Sequence, residues 1–161
     1  MKKKCNKKLP ESAGLDHTKV RAPYVRLAGV INVDKKNKIY KYDIRFVQPN
    51  TKQIPTKILH SLEHLLAVTM RSRIDNIVDI SPMGCLTGFY LVSLNQPYEK
   101  ILKALEHGLV DLQKIKQVPF ANKIQCGSAK LHDLPGAKEF AKIMLKDNFS
   151  NVFCVKKKSR D

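Results

Sequence analysis

The stretch YVRLAGVINVDKKNKIYKYDIRFV, residues 24–47, decides the fold. Two runs rich in β-branched and aromatic residues, 24–33 and 39–47, flank the polar turn DKKNK, which is the pattern of a β-hairpin. In the second run Tyr40, Tyr42, Ile44 and Phe46 share one face by the two-residue period of a strand, which leaves Lys41, Asp43 and Arg45 on the other.

Working outward, Pro49 and Pro55 bracket a loop. Beyond it Ile58, Leu62, Leu65, Leu66, Thr69 and Met70 recur at three- and four-residue steps and predict an amphipathic helix over about 57–73. IVDI (77–80) and GFYLVSL (88–94) read as two further strands around the turn SPMGCLT. Pro97 can open a helix at its first position, and Ile101, Leu102, Leu105, Leu109, Leu112 and Ile115 give that helix a core stripe running to a stop at Pro119. PGAKEFAKIMLKDNF (135–149) is a third helix. The order of two strands, a helix, two strands and two helices does not alternate as a parallel sheet requires. It predicts an α+β domain with an antiparallel sheet covered by helices.

A length of 161 residues and an apolar fraction of 43% suit a single domain spanning 1–161. The net charge of +16 is unevenly spread: residues 1–8 hold five lysines, and residues 156–161 hold three lysines, an arginine and an aspartate, so half the charge sits at the ends. Such charge attracts nucleic acid or anionic lipid. Trp is absent, however, and no aromatic residues interleave with the basic runs as a base-stacking surface requires. Solvated basic tails at about 1–10 and 155–161, with no specific nucleic-acid partner, are the expectation. MKKKCNKKLPESAG (1–14) starts basic but has no apolar segment behind it, so it is not a secretory signal and the cytoplasm is the expected compartment. Residues 80–98 lack charge, yet two prolines and two glycines interrupt them; a buried turn and strand is expected there, not a membrane span. Cysteines 5, 85, 126 and 154 form no C-x-x-C pair and read as thiols, ligands or nucleophiles.

The chemistry begins at HSLEHLLA, residues 60–67. His60 and His64 lie about 40° apart around the helix and one turn along it, so their imidazoles can converge on one ion. Glu63, about 60° beyond His60, can reach a metal-bound group without being a ligand. H-x-x-E-H is the inverted zinc-peptidase motif, in which two histidines bind zinc and the glutamate acts as base. The plain alternative is a solvated helix face. The stripe His60, His64, Ala67 carries no lysine in a lysine-rich chain, which argues that something other than water faces it.

A metal needs a third protein ligand, and a catalytic site keeps a fourth position open. A downstream Glu99, Glu106 or Glu139 would complete a peptidase; Cys126, in IQCGSAKLHD, is the competing thiolate, unless it is a small buried hydrophobe. Cys85 sits between two glycines, Gly84 and Gly88, in an uncharged turn and becomes useful as a thiolate only near a cation. His107 reads as solvated or capping, and His132 either orients a ligand or begins the approach to the last helix.

LDHTKVRAPYVRLAGV, DIRFVQPN, HSLEHLLAVTMRS, DISPMGCLTGFYLV and QCGSAKLHDLPGAK, in that order from about Ser12 to Lys146, together resemble the S-ribosylhomocysteine lyase family, which makes the autoinducer-2 precursor. The resemblance implies a small α+β homodimer with two active sites at the subunit interface. It implies that His60, His64 and Cys126 bind one divalent metal, ferrous iron natively and zinc or cobalt after purification. It makes Glu63 and Cys85 the general acid–base pair. Ser12, His17 and Arg45 match positions that contact the sugar from the neighbouring subunit, and Arg71 and Asp79 match positions near the homocysteine end. Ala13, Ser61 and Leu86 depart from the family's usual residues without removing a metal or acid–base residue. An inverted zinc peptidase and a basic binding module are the rival expectations.

Overall fold

The hairpin forms. In a computed structural model that describes residues 11–150, β1 (Tyr24–Asn32) pairs antiparallel with β2 (Lys38–Arg45), Tyr24 opposite Arg45 and Asn32 opposite Lys38. The expected basic tails, with Cys5 and Cys154, lie outside the described residues. The next elements are α1 (Thr56–Arg71), β3 (Ile77–Pro82), β4 (Gly88–Leu94), α2 (Tyr98–Asp111) and α3 (Leu134–Asp147). The four strands make one sheet in the order β1-β2-β4-β3, antiparallel throughout. The α+β expectation holds: β1-β2 and β3-β4 are hairpins, and α1 carries the chain past the position of β4 to the edge strand β3, so that β4 returns to pair with β2.

One face of the sheet makes the core. Val25, Tyr42, Ile44, Phe89, Leu91 and Ile80 are buried on it, against Leu59, Leu62, Leu65, Leu66 and Met70 of α1, Leu105 and Leu109 of α2, and Ala137, Ala141 and Met144 of α3. Phe46 anchors one end, with the rings of Phe89, Phe140 and Phe149 edge-on at 5.6–5.7 Å. Full burial of such side chains stabilises by about 1.5–3 kcal/mol each, which fixes α1 on the sheet.

Three features differ from the sequence reading. The helix opened near Pro97 stops at Asp111 and tightens into a 3-10 turn over Leu112–Lys114, so Ile115 lies beyond it; Pro97 itself is the extended cap residue. The turn before β4 is not buried: Gly84 and Cys85 are exposed, while Met83 and Thr87 on either side are buried. Asp43 and Arg45, on the sheet face opposite the core, are 0% and 1% exposed. Their burial is affordable because they bond each other: Arg45 Nε donates to Asp43 Oδ1 at 3.1 Å and Nη2 to Oδ2 at 2.9 Å, and Arg26 and the Tyr24 hydroxyl also donate to that carboxylate. A period-two pattern identifies the faces of a strand but not what covers them. Among the described residues, no helix is long and apolar enough to cross a membrane.

Candidate active site

α1 runs into the sheet-covering layer with His60, Glu63 and His64 half-buried on one flank. The stripe without lysine is covered by the segment between α2 and α3. That segment is tied to the helix at both ends. His64 Nδ1–H donates to the Pro119 carbonyl at 2.7 Å, and His60 Nδ1–H donates to the Leu131 carbonyl at 2.9 Å. A carbonyl only accepts, so each contact fixes the proton on Nδ1 and leaves the Nε2 lone pair free, which is how metal-ligating histidines are usually oriented. Ser61, fully buried one residue after His60, accepts the Asp133 backbone N–H at 2.8 Å, and Asp133 in turn caps α3 by accepting from the Gly136 N–H at 2.8 Å. The start of α3 and the second turn of α1 are thus held together.

This arrangement brings Cys126, 8% exposed, to the two imidazoles, with its Sγ 3.5 Å from His60 Nε2. His60, His64, Cys126 and His132 have ligand atoms that all lie within 4.8 Å of one another, a group that could hold a metal ion. Glu99, Glu106 and Glu139 are not in it. A thiolate and imidazole nitrogens suit zinc, iron or cobalt better than magnesium or calcium, which prefer oxygen. The backbone turns sharply to make the site: Phe120, directly after the carbonyl that receives His64, has φ 57°, a left-handed conformation that costs a bulky residue about 1–3 kcal/mol.

His132 was left open by the sequence and joins the cluster. Burial first, and then the neighbouring His60 and His64 rings, lower its pKa from the ordinary value of 6.5. The available signal was its position six residues after Cys126, in the same short segment; nothing local showed that this segment folds back on α1.

The remaining site candidates fall elsewhere. Cys85 is exposed at the turn before β4, with Thr87 Oγ1 at 3.0 Å and Arg45 Nη1 at 3.7 Å from its sulfur. Leu86 beside it has φ 59°. Cys85, Arg45, Thr87 and His17 line one cleft of about 620 Å³, closed on the other side by the 49–53 loop. Neither Glu63 nor any of the four clustered histidine and cysteine residues is in its wall. Ser12 lies in a short 3-10 segment (Glu11–Gly14) against Tyr90 on the outer sheet face. Arg71 and Asp79 are exposed; Arg71 donates to the Ala67 carbonyl at 3.1 Å, and Asp79 accepts from the Ser81 hydroxyl at 2.7 Å. The chain thus presents a His–Cys cluster and, with a wall that does not include it, a cleft lined by Cys85, Arg45 and His17.

The sequence profile of the family S-Ribosylhomocysteinase (LuxS) matches residues 11–153. The chain belongs to this family. Curated S-ribosylhomocysteine lyases are similar to it over nearly their whole length. That of Halobacillus halophilus is 51% identical over 146 residues, covering 89% of this chain and 96% of the relative. That of Clostridium perfringens strain SM101 is 49% identical, covering 90% and 97%. That of Listeria monocytogenes serotype 4a is 49% identical, covering 89% and 94%. Membership of the S-ribosylhomocysteinase family makes the chain an enzyme of the carbon–sulfur lyase class, and it places the four-residue cluster on the family's matched region.

Proposed function

We propose that this protein cleaves S-ribosyl-L-homocysteine to L-homocysteine and 4,5-dihydroxy-2,3-pentanedione, the autoinducer-2 precursor, in the cytoplasm. The observation that carries the reading is the convergence of Cys126 with the helical pair His60 and His64, although it lies 66 residues from His60 in the chain. A cysteine in the third ligand position, with no glutamate in the group, favours a lyase over an inverted zinc peptidase.

The substrate is a ribose joined through C5 to the sulfur of homocysteine, and a thioether leaves only when a carbanion forms on the adjacent carbon. The carbonyl must therefore migrate from C1 through C2 to C3, which acidifies the C4–H bond. His60, His64 and Cys126 hold one divalent cation, ferrous iron in this reading and zinc or cobalt after purification. When bound, it supplies Lewis-acid stabilisation of the negative charge on the sugar oxygens. The chain's own groups move the protons. Cys85 Sγ takes the proton from one carbon and returns it to the next, and the Glu63 carboxyl serves the opposite side. In the last step Cys85 or Glu63 removes the C4 proton, the C5–S bond breaks, and the electron pair leaves with sulfur, which is protonated to the thiol of homocysteine.

The cleft that Cys85 shares with Arg45 and His17, whose wall does not include the ligand cluster, supports an active site assembled from two copies of the chain, a homodimer with two sites at the interface. Ser12, His17 and Arg45 then contact the sugar from the neighbouring copy, and Arg71 and Asp79 bind the homocysteine end. The strand β1 offers a surface for such pairing in Leu27, Val30 and Ile31, which are 45–65% exposed. The test is direct: anaerobically purified, iron-loaded protein is incubated with S-ribosylhomocysteine and the freed thiol is titrated. One thiol per substrate is expected, and no thiol release overturns the assignment.

A further inference from the structure

His132 stands apart from the other members of its cluster in geometry. The His60 and His64 rings meet at 83° with centroids 4.9 Å apart, as befits two imidazoles whose Nε2 atoms converge. The His132 ring instead lies over that of His60, 4.1 Å away and only 26° from parallel. Its Nε2 ends 3.6 Å from Cys126 Sγ. Its other nitrogen has no carbonyl to fix it: Nδ1 faces Ser61 Oγ at a long 3.4 Å, an oxygen that donates to the Lys57 carbonyl and already accepts the Asp133 N–H, both at 2.8 Å, so the single ring proton goes to Nε2, where an anionic sulfur is the stronger acceptor. The Cys126 sulfur receives a second donor from the other side, the Ser128 backbone N–H at 3.4 Å.

On the reading that His60, His64 and Cys126 hold the metal, we propose that His132 is a positioning residue. Its Nε2–H donates to the Cys126 thiolate, and its ring braces His60. A thiolate is a strong electron donor, and hydrogen bonds to sulfur draw part of that charge back. With two donors on Sγ the thiolate gives less charge to the cation, which leaves the cation a stronger Lewis acid. His132, held by stacking and by sulfur, leaves the fourth coordination position to the substrate.

The cobalt-substituted protein tests this, because sulfur-to-cobalt charge transfer reads the thiolate itself and needs no turnover. His132→Phe keeps a ring over His60 and removes only the donor. It is expected to retain one cobalt per chain at saturation and to bind it roughly 10- to 100-fold more weakly. Its charge-transfer band is expected at longer wavelength, since the sulfur electrons are less stabilised. His132→Gln, whose side-chain N–H can replace the donor, is expected to bring the band back towards its original position. A band that stays in place in His132→Phe overturns the proposal. So does X-ray absorption showing that the phenylalanine variant has lost one nitrogen from the metal shell, because His132 is then a ligand. Wild-type protein that takes up no cobalt defeats the metal centre itself, a result distinct from an unmoved band.

Discussion

Arg45 Nη1 points at Cys85 Sγ from 3.7 Å, while the other two guanidinium nitrogens are tied to Asp43. One rigid, buried group thus links the sheet to the thiol proposed to move protons. The planar fork of arginine makes this possible, since it can bind a carboxylate with one edge and present a donor on the other. Thr87 Oγ1 accepts from the same Nη1 at 2.8 Å, so the guanidinium has little freedom to turn.

Removing Arg45 leaves the fully buried Asp43 carboxylate short of its principal partner. Arg45→Met is expected to cost about 3–5 kcal/mol in unfolding free energy, the usual result of breaking a buried pair from one side. Urea denaturation measures it; a loss within about 1 kcal/mol, the value of a surface pair, would contradict the burial argument.

The ligand assignment makes a stoichiometric prediction. His60→Ala, His64→Ala and Cys126→Ala are each expected to be purified without metal, because two imidazoles and one thiolate form the proposed protein shell. Elemental analysis finding one metal per chain in Cys126→Ala rules that shell out.

The acid–base roles separate from metal binding. Cys85→Ala and Glu63→Gln are expected to keep the metal and lose turnover by at least about 10²–10⁴-fold, the usual range for a proton-transfer group. Thiol titration on metal-loaded variants gives the answer, and homocysteine release at the wild-type rate by either one removes that residue from the mechanism.

Gly88 begins β4 where the strand passes against β2. A Cβ there would overlap the Ile44 carbonyl oxygen and touch the Arg45 Cα at 3.0 Å. Since both obstacles are backbone, Gly88→Ala is expected to destabilise by about 3 kcal/mol and to move Arg45 relative to Cys85. A thermal midpoint equal to that of the wild type would show that the two strands can part without cost.

Alkaline pH should weaken the fold through its buried phenols. Burial, helped by Tyr40 and Glu99, pushes Tyr42 up to about 12 from the ordinary 10.0, and burial followed by the Asp43 charge raises Tyr24 as well. The folded chain holds these protons more tightly than the unfolded chain. The stabilisation is complete below pH 10 and is lost as pH rises from 10 towards 12. The urea midpoint should fall over that window, and less steeply in Tyr42→Phe; equal slopes in the two proteins would dissociate the effect from this phenol.

Much of this molecule was legible in its residues. The hairpin at 24–47 followed from two β-rich runs and a polar turn, and α1 from the spacing of Leu62, Leu65, Leu66 and Met70, because alternation and helical period are local properties of a chain. His60 and His64 could be paired for the same reason: four residues on a helix are one turn. Three things had no local signature. Arg45 and Asp43 looked like an outer strand face, and only the sheet's covering made them a buried pair. The His–Cys cluster was incomplete in sequence, because His132 reaches Cys126 only after the Asp133–Ser61 and Leu131–His60 hydrogen bonds fold residues 119–133 onto α1. That Cys85 lines a cleft whose wall does not include the His–Cys cluster was likewise invisible, since nothing in the spacing of these residues tells which cleft each will line. Local periodicity determines elements; long-range contacts, which depend on how those elements pack, decide which side chains meet.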